Sequence, residues 1–311
     1  MKLKNDTRLR KRLFVKDAMA HPAKGHLGLW EAIIHKYTEP GDVILDPMAG
    51  VGATLTAALM GRHVICNEME EHFVKPMQAS WFNMSQHPML GFNMGHVVIV
   101  RGDARHLPLN SADSVITSPP YEGMVSSERS GIDEDKVQPK NRRPSKRIYQ
   151  GEYSFTKPVD SVITSPPYEG VAEAQRHPGD ELETLKGHVL GYGEGSNIGN
   201  LKNNAYWTAM EQVYRECHRV LKDGGIMALV VKGFTRDGKY VDLPQQTVDL
   251  VESLGFTLFD RWERELWNLS FWRILQQRRD PEAFDERLRY ETVLAFRRIT
   301  LRQKSQEATN D

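Results

Sequence analysis

The chain has 311 residues, 40% of them hydrophobic and 26% charged, with 41 basic residues balanced by 41 acidic ones. That length can bury the core of one large domain or two small ones, and zero net charge removes overall basicity as an argument for a nucleic-acid partner, leaving only local patches. Its two cysteines, Cys66 and Cys217, stand in no metal-ligand spacing, no apolar run reaches membrane-spanning length and the basic start lacks a hydrophobic segment, so the expectation is a cytoplasmic protein without membrane contact or structural zinc.

Residues 1–20 read as a basic, frayed arm, and residues 21–302 as one domain with a disordered tail at 303–311. Leu29, Ala32, Ile33 and Tyr37 recur at helical spacing, and Pro40-Gly41 ends that helix. Val43-Ile-Leu45 is a buried strand that runs into Asp46-Pro-Met-Ala-Gly50-Val-Gly52-Ala-Thr54 and a short helix. Strand, glycine-rich turn and helix open a nucleotide-binding sheet, because the glycines let backbone approach a ligand at a helix N-terminus. Tight helix-on-strand packing is the plainer explanation of a lone turn of this kind. His63 to Cys66 is the second strand and delivers Glu68, at the position that receives ribose hydroxyls. Val97 to Val100 is the third, and Asp103 just beyond it can receive an adenine amino group.

An eleven-residue segment then occurs twice, as Asp113-Ser-Val-Ile-Thr-Ser-Pro-Pro-Tyr-Glu-Gly123 and, letter for letter, as Asp160 to Gly170. Each copy reads as a short strand stopped by a proline pair, since proline lacks an N–H and holds the preceding residue extended. The stiff corner, Ser118-Pro119-Pro120-Tyr121 or Ser165-Pro166-Pro167-Tyr168, sits where open α/β sheets bind ligands and offers a hydroxyl, a carbonyl and a flat ring to a planar base. Between the copies, Lys136, Lys140, Arg142, Arg143, Lys146 and Arg147 crowd together without an acid, as a solvated loop or a phosphate contact. Insertions are expected at about 122–158, 169–204 and 261–289. In the last of these Trp262, Trp267, Phe271 and Trp272 lie among arginines, more a packing pattern than a base-stacking one. Trp207, Met210, Val213, Tyr214, Cys217 and Leu221 form one helix face capped by Asp223-Gly-Gly225. Ile226–Val231, Phe256–Phe259 and Tyr290–Phe296 read as the remaining strands, the last antiparallel.

These residues resemble the amino-group DNA methyltransferases. Asp46, Pro47, Ala49, Gly50, Gly52 and Thr54 match the family's DPxxGxGxT cofactor loop, with Met48 in place of an aromatic. The two Ser-Pro-Pro-Tyr corners match its catalytic motif, and His21-Pro-Ala-Lys24 looks like the segment closing the methionine end of the cofactor site. The resemblance implies a Rossmann-like class I α/β fold: a seven-stranded, mostly parallel sheet with helices on both faces, an antiparallel last strand and unpermuted motif order. It implies S-adenosylmethionine held by His21, Lys24, the loop, Glu68 and Asp103, DNA as partner with RNA not excluded, and a restriction-modification setting with a cognate endonuclease.

Serine ahead of Pro-Pro-Tyr is associated in that family mostly with cytosine, so transfer to the exocyclic nitrogen of a flipped-out cytosine is the expectation, with adenine the alternative. Methylation at carbon 5 needs a cysteine nucleophile, and neither Cys66 in a strand nor Cys217 on an apolar helix face is placed for it. An inactive nucleic-acid-binding protein is the reading from another class. The first copy is the expected working one because it follows Asp103 at the usual spacing, although loop closure penalises the alternative by only about 0.6 kcal/mol per doubling of length.

Overall fold

The computed structural model describes residues 1–21, 24–109, 159–164, 197–201, 203–236, 239–266 and 284–299. Seven strands form one sheet: β1 (Val43–Asp46), β2 (His63–Glu68), β3 (Val97–Arg101), β4 (Val159–Thr164), β5 (Leu221–Val231), β8 (Phe256–Glu265) and β9 (Tyr290–Arg298). Their spatial order is β3-β2-β1-β4-β5-β9-β8. Strands β1 to β5 pair in parallel, and β9 is antiparallel to both its neighbours. A two-stranded ribbon, β6 (Phe234–Arg236) and β7 (Lys239–Val241), stands apart from this sheet.

Side chains alternate across a strand, so a sheet covered on both faces needs apolar residues at successive positions. Ile44, Val64 and Cys66 accordingly pack with α2 (Leu27–Tyr37), α3 (Thr56–Leu59) and α4 (Glu71–Ser85). Their neighbours Val43, Leu45 and Ile65 pack on the other face with α5 (Asn203–Val220) and, through Val248 and Val251, α6 (Leu243–Ser253). The result is the Rossmann-like class I arrangement, with the reversal of strand order lying between β1 and β4, where ligands bind at the strands' C-terminal ends.

The structure departs from the sequence reading in several places. Residues 7–13 of the supposed frayed arm form a helix, α1 (Thr7–Leu13), and Leu13, Phe14 and Ala18 join the core. The buried guanidinium of Arg10 holds it there, donating to Asp6 Oδ2 at 3.0 Å and to the Gly25 carbonyl, while Asn83 Nδ2 donates to the carbonyls of Arg12 and Leu13 at 3.0 Å each. A basic count alone does not show that one arginine has two local acceptors. Helix α5 ends at Val220 and passes straight into β5 at Leu221, ahead of the glycine pair expected to cap it.

The fourth strand is built from the second copy of the repeated segment. Ser161 is in register with Ile44 of β1 and with Ile226 of β5, and its hydroxyl donates to the Tyr37 carbonyl at 2.8 Å. The expectation of Ser114–Thr117 in this position is therefore corrected: the slot between β1 and β5 holds Val159–Thr164. The slow growth of loop-closure cost with length is what makes so long an intervening insertion tolerable. The first copy and the basic loop around Arg142 lie outside the described residues, as do Ser165 to Tyr168 themselves. Trp262 lies on β8 and donates its indole N–H to the Tyr37 hydroxyl at 2.8 Å, which is a packing role. Trp267, Phe271, Trp272 and the 303–311 tail are outside the described residues.

Candidate functional site

The turn after β1 is tied down from below. The Asp46 carboxylate, buried, accepts the Thr54 hydroxyl and the Met48 N–H (3.3 Å), closing the nine-residue loop on itself. Gly50 and Gly52 have φ of +55° and +82°, the left-handed region that side chains avoid. At Gly50 a second constraint applies, since a Cβ there would lie 2.9 Å from His21 Nε2. The His21 ring is itself buried and tilted against Phe73, with ring centroids 4.3 Å apart. Glycine thus lets backbone and imidazole form one wall of a cleft.

The second wall comes from β2 and β3. Glu68 ends β2 and turns its carboxylate back toward the loop, where Gly50 N donates to Oε2 and Glu70 N to Oε1, both at 2.8 Å. Burial pushes the Glu68 carboxyl up to about 7, against the lowering effect of these backbone donors. With the Met69 N–H, three backbone donors reach the carboxylate, and its remaining acceptor capacity is open to a hydroxyl. Beneath it Asn67 donates to the carbonyls of Pro47 (2.9 Å) and Gly102 (3.0 Å), pinning the two walls at a fixed separation. Asp103 is gripped by Arg105 Nε through both oxygens at 2.9 and 3.0 Å. Burial works to raise its carboxyl, but Arg105 outweighs that and holds it below its ordinary value.

Together His21, Pro47, Met48, Gly50, Glu68 and Met69 line one continuous cleft with Gly102, Asp103, Ala104, Asn197 and Ile198. Of the residues expected at the site, His21, Pro47, Gly50, Glu68 and Asp103 face this cleft. Asp46, Ala49, Gly52 and Thr54 build the loop behind it. Lys24 instead turns its ammonium onto the carbonyls of Met19 (2.9 Å) and His21, bracing the segment that carries the imidazole. Asn197 and Ile198 were not foreseen: the Asn197 amide donates to Glu70 Oε1 at 2.6 Å, and the buried Ile198 joins Met48 and Ala104 in the core on that side. No motif marks them, and their relation to Glu70 spans 127 residues. Their fold-level signal was only that chain must return across the open edge before α5.

The donor set has a clear chemical character. It offers an ionisable carboxylate for hydroxyls, a second carboxylate for an amine, a glycine turn open to close approach and a partly apolar floor. β4 ends at Thr164 on the same edge of the sheet as this cleft, and Ser165 to Tyr168, next in sequence, lie outside the described residues.

Comparison with known proteins agrees with that character. A family model described as DNA methylase, for the N6 and N4 methyltransferases, matches residues 3–79 and 159–296, more than half the chain. The second match begins at Val159, the first residue of β4. Among solved structures, TrmN from Thermus thermophilus is 14% identical, over 93% of this chain and 53% of its own, with a TM-score of 0.46, so the chain spans about half its length. A SAM-dependent methyltransferase from Methanosarcina mazei is 11% identical over 86% and 97% of the two chains, with a TM-score of 0.44. The magnesium protoporphyrin IX methyltransferase of Synechocystis, determined with SAM bound, is 11% identical over 95% and 98%, at 0.42. No curated protein matches. With more than half its length matched by the family model, the chain belongs to the amino-group DNA methylase family, and its cofactor is S-adenosylmethionine.

Proposed function

We propose that this chain is a site-specific DNA methyltransferase that moves a methyl group to the exocyclic nitrogen of cytosine, using Ser165-Pro166-Pro167-Tyr168. The observation that supports this reading is the position of β4 between β1 and β5, at the sheet edge that bears Gly50, Glu68 and Asp103, since Ser165 is the next residue in sequence after the end of that strand.

S-adenosylmethionine supplies an electrophilic methyl on a sulfonium. The chain's residues do the rest by binding and positioning. Glu68 receives the ribose hydroxyls, Asp103 the adenine amine, and the Gly50 turn with His21 holds the methionine end. A base stacked in a duplex cannot reach this edge, so the target is everted, at a cost of a few kcal/mol that stacking on Tyr168 offsets. Its amine donates to the Ser165 hydroxyl and to the carbonyl ahead of Pro166. Those two acceptors favour a tetrahedral nitrogen and free a lone pair otherwise delocalised into the ring. Positioning of this kind contributes roughly 7–11 kcal/mol in well-oriented reactions, so a covalent intermediate is unnecessary. Serine, short and uncharged, supports cytosine over adenine at this corner.

Two measurements test the reading. Mass spectrometry of nucleosides from DNA treated with enzyme and labelled cofactor is expected to show N4-methylcytosine. N6-methyladenine would overturn the choice of base while leaving the chemistry. Tyr168→Ala is expected to abolish turnover with cofactor affinity unchanged, and Tyr121→Ala to retain it. The reverse pattern would return the catalytic role to the first copy.

A further inference from the structure

One hydrogen bond, between residues 127 positions apart, ties the end of β2 to the part of the cleft that lies furthest along the chain. We propose that its partners, Asn197 and Glu70, are a positioning pair for S-adenosylmethionine. Their bond holds the turn that carries Ile198 in place relative to Glu68, and so sets the width of the cleft before the cofactor enters. The proposal rests on the cofactor occupying this cleft.

Glu70 is the pivot. It stands at the N-cap of α4, yet its side chain makes no capping bond there. Its backbone N–H donates to Glu68 Oε1 at 2.8 Å, and its own Oε1 accepts the Asn197 amide at 2.6 Å. One residue thus fixes the Glu68 carboxylate with its main chain and the opposite wall with its side chain. Met69, between the two acids, lines the cleft. The bond to Asn197 is short and charge-assisted, a kind roughly twice as strong as a neutral one.

Asn197 suits this task at both ends of its carboxamide. It is buried and stands at the N-cap of the short helical turn Ile198–Asn200, where its Oδ1 accepts the Gly199 N–H at 2.9 Å. Serine, aspartate and asparagine all serve as caps of this kind. Asparagine adds an amide N–H that reaches a carboxylate, whereas aspartate has no donor and the serine hydroxyl ends one bond nearer the backbone.

The turn in its place seats Ile198 in the core cluster that includes Met48 and Ala104, both of which line the cleft as well. The connections therefore run from Gly50 through Glu68, Glu70 and Asn197 to Ile198, and return through that cluster to Met48, two residues before Gly50. A belt of this kind preforms a site, and a preformed site loses less affinity to ordering itself around the ligand.

Calorimetric titration of the full chain with S-adenosylmethionine tests the pair. Asn197→Ser keeps an acceptor for Gly199 and removes the tie. It is expected to weaken affinity about tenfold while the cofactor-free protein still unfolds in one cooperative transition. Asn197→Asp sets two carboxylates against each other and is expected to weaken affinity further. Glu70→Gln introduced beside it restores a donor and an acceptor with their roles exchanged, and is expected to recover about tenfold. Wild-type affinity in a folded Asn197→Ser protein would overturn the proposal, because Asn197 would then cap its turn and do nothing for the cofactor. So would a double variant that binds no better than Asn197→Asp alone, a comparison that reads the pair even where Asn197→Ser folds poorly. Failure of the cofactor assignment shows separately, as a wild-type protein with no affinity for S-adenosylmethionine.

Discussion

Glu68 is the group whose behaviour can be worked out furthest. Its carboxyl is buried at the end of β2, and burial raises it from the ordinary 4.5 to about 7. The folded chain therefore holds this proton more tightly than the unfolded chain does. Stability contributed by the group is fully present below pH 4.5 and is lost as pH rises through about 7, by an amount on the order of 3 kcal/mol. Glutamine cannot ionise, so the difference in unfolding free energy between wild type and Glu68→Gln follows this one titration. Urea unfolding at fixed ionic strength without cofactor, from pH 4.5 to 8, is expected to show wild type losing roughly 3 kcal/mol relative to the variant. A difference constant to within about 0.5 kcal/mol across that range would refute the argument, because it would mean the carboxylate is as well solvated in the cleft as in water.

Other outcomes follow from the same geometry. If Glu68 receives the ribose hydroxyls as a carboxylate, calorimetric affinity for S-adenosylmethionine falls by up to about tenfold per pH unit below about 7, and Glu68→Gln binds weakly with no such pH dependence. Gly50→Ala places a Cβ against His21 at a φ of +55° and is expected to cost about 1–3 kcal/mol in denaturant unfolding and to weaken cofactor binding. Gly224→Ala, at a φ of +74° with open space around it, is the control that shows the backbone strain alone. Cys66 and Cys217 are both buried with their thiols pushed well up by burial, so neither is expected to react with a disulfide reagent at pH 8 until the chain unfolds. Rapid labelling of either in the folded protein would contradict the packing of β2 or α5.

Much of the site was legible because its parts are local. Asp46 to Thr54 is a single turn whose glycines, carboxylate and hydroxyl act on one another within nine residues, and Glu68 ends, while Asp103 closely follows, a strand recognisable from its apolar run. Helix α4 went unread although Phe73, Val74, Met77 and Met84 sit at helical spacing and are buried, because Pro76 and the polar residues between them blur the pattern. The β6–β7 ribbon had a signal in Asp237-Gly238, which went unread.

What the amino-acid order determined by itself was the chemistry: a glycine turn after a buried strand, acids at the next two strand ends and a proline-stopped corner are consequences of backbone sterics and periodicity. Three things were decided only by the tertiary structure. One of two identical segments had to take the slot between β1 and β5, and local propensity is the same for both. The basic N-terminal stretch became core because Arg10 found Asp6 and the Gly25 carbonyl. Asn197 and Ile198 came to the cleft from far along the chain. The first and third depend on which groups meet after long loops close, and the entropy of closing those loops varies too slowly with length to leave a mark in the sequence, whereas the second turns on side-chain contacts that a basic count does not show.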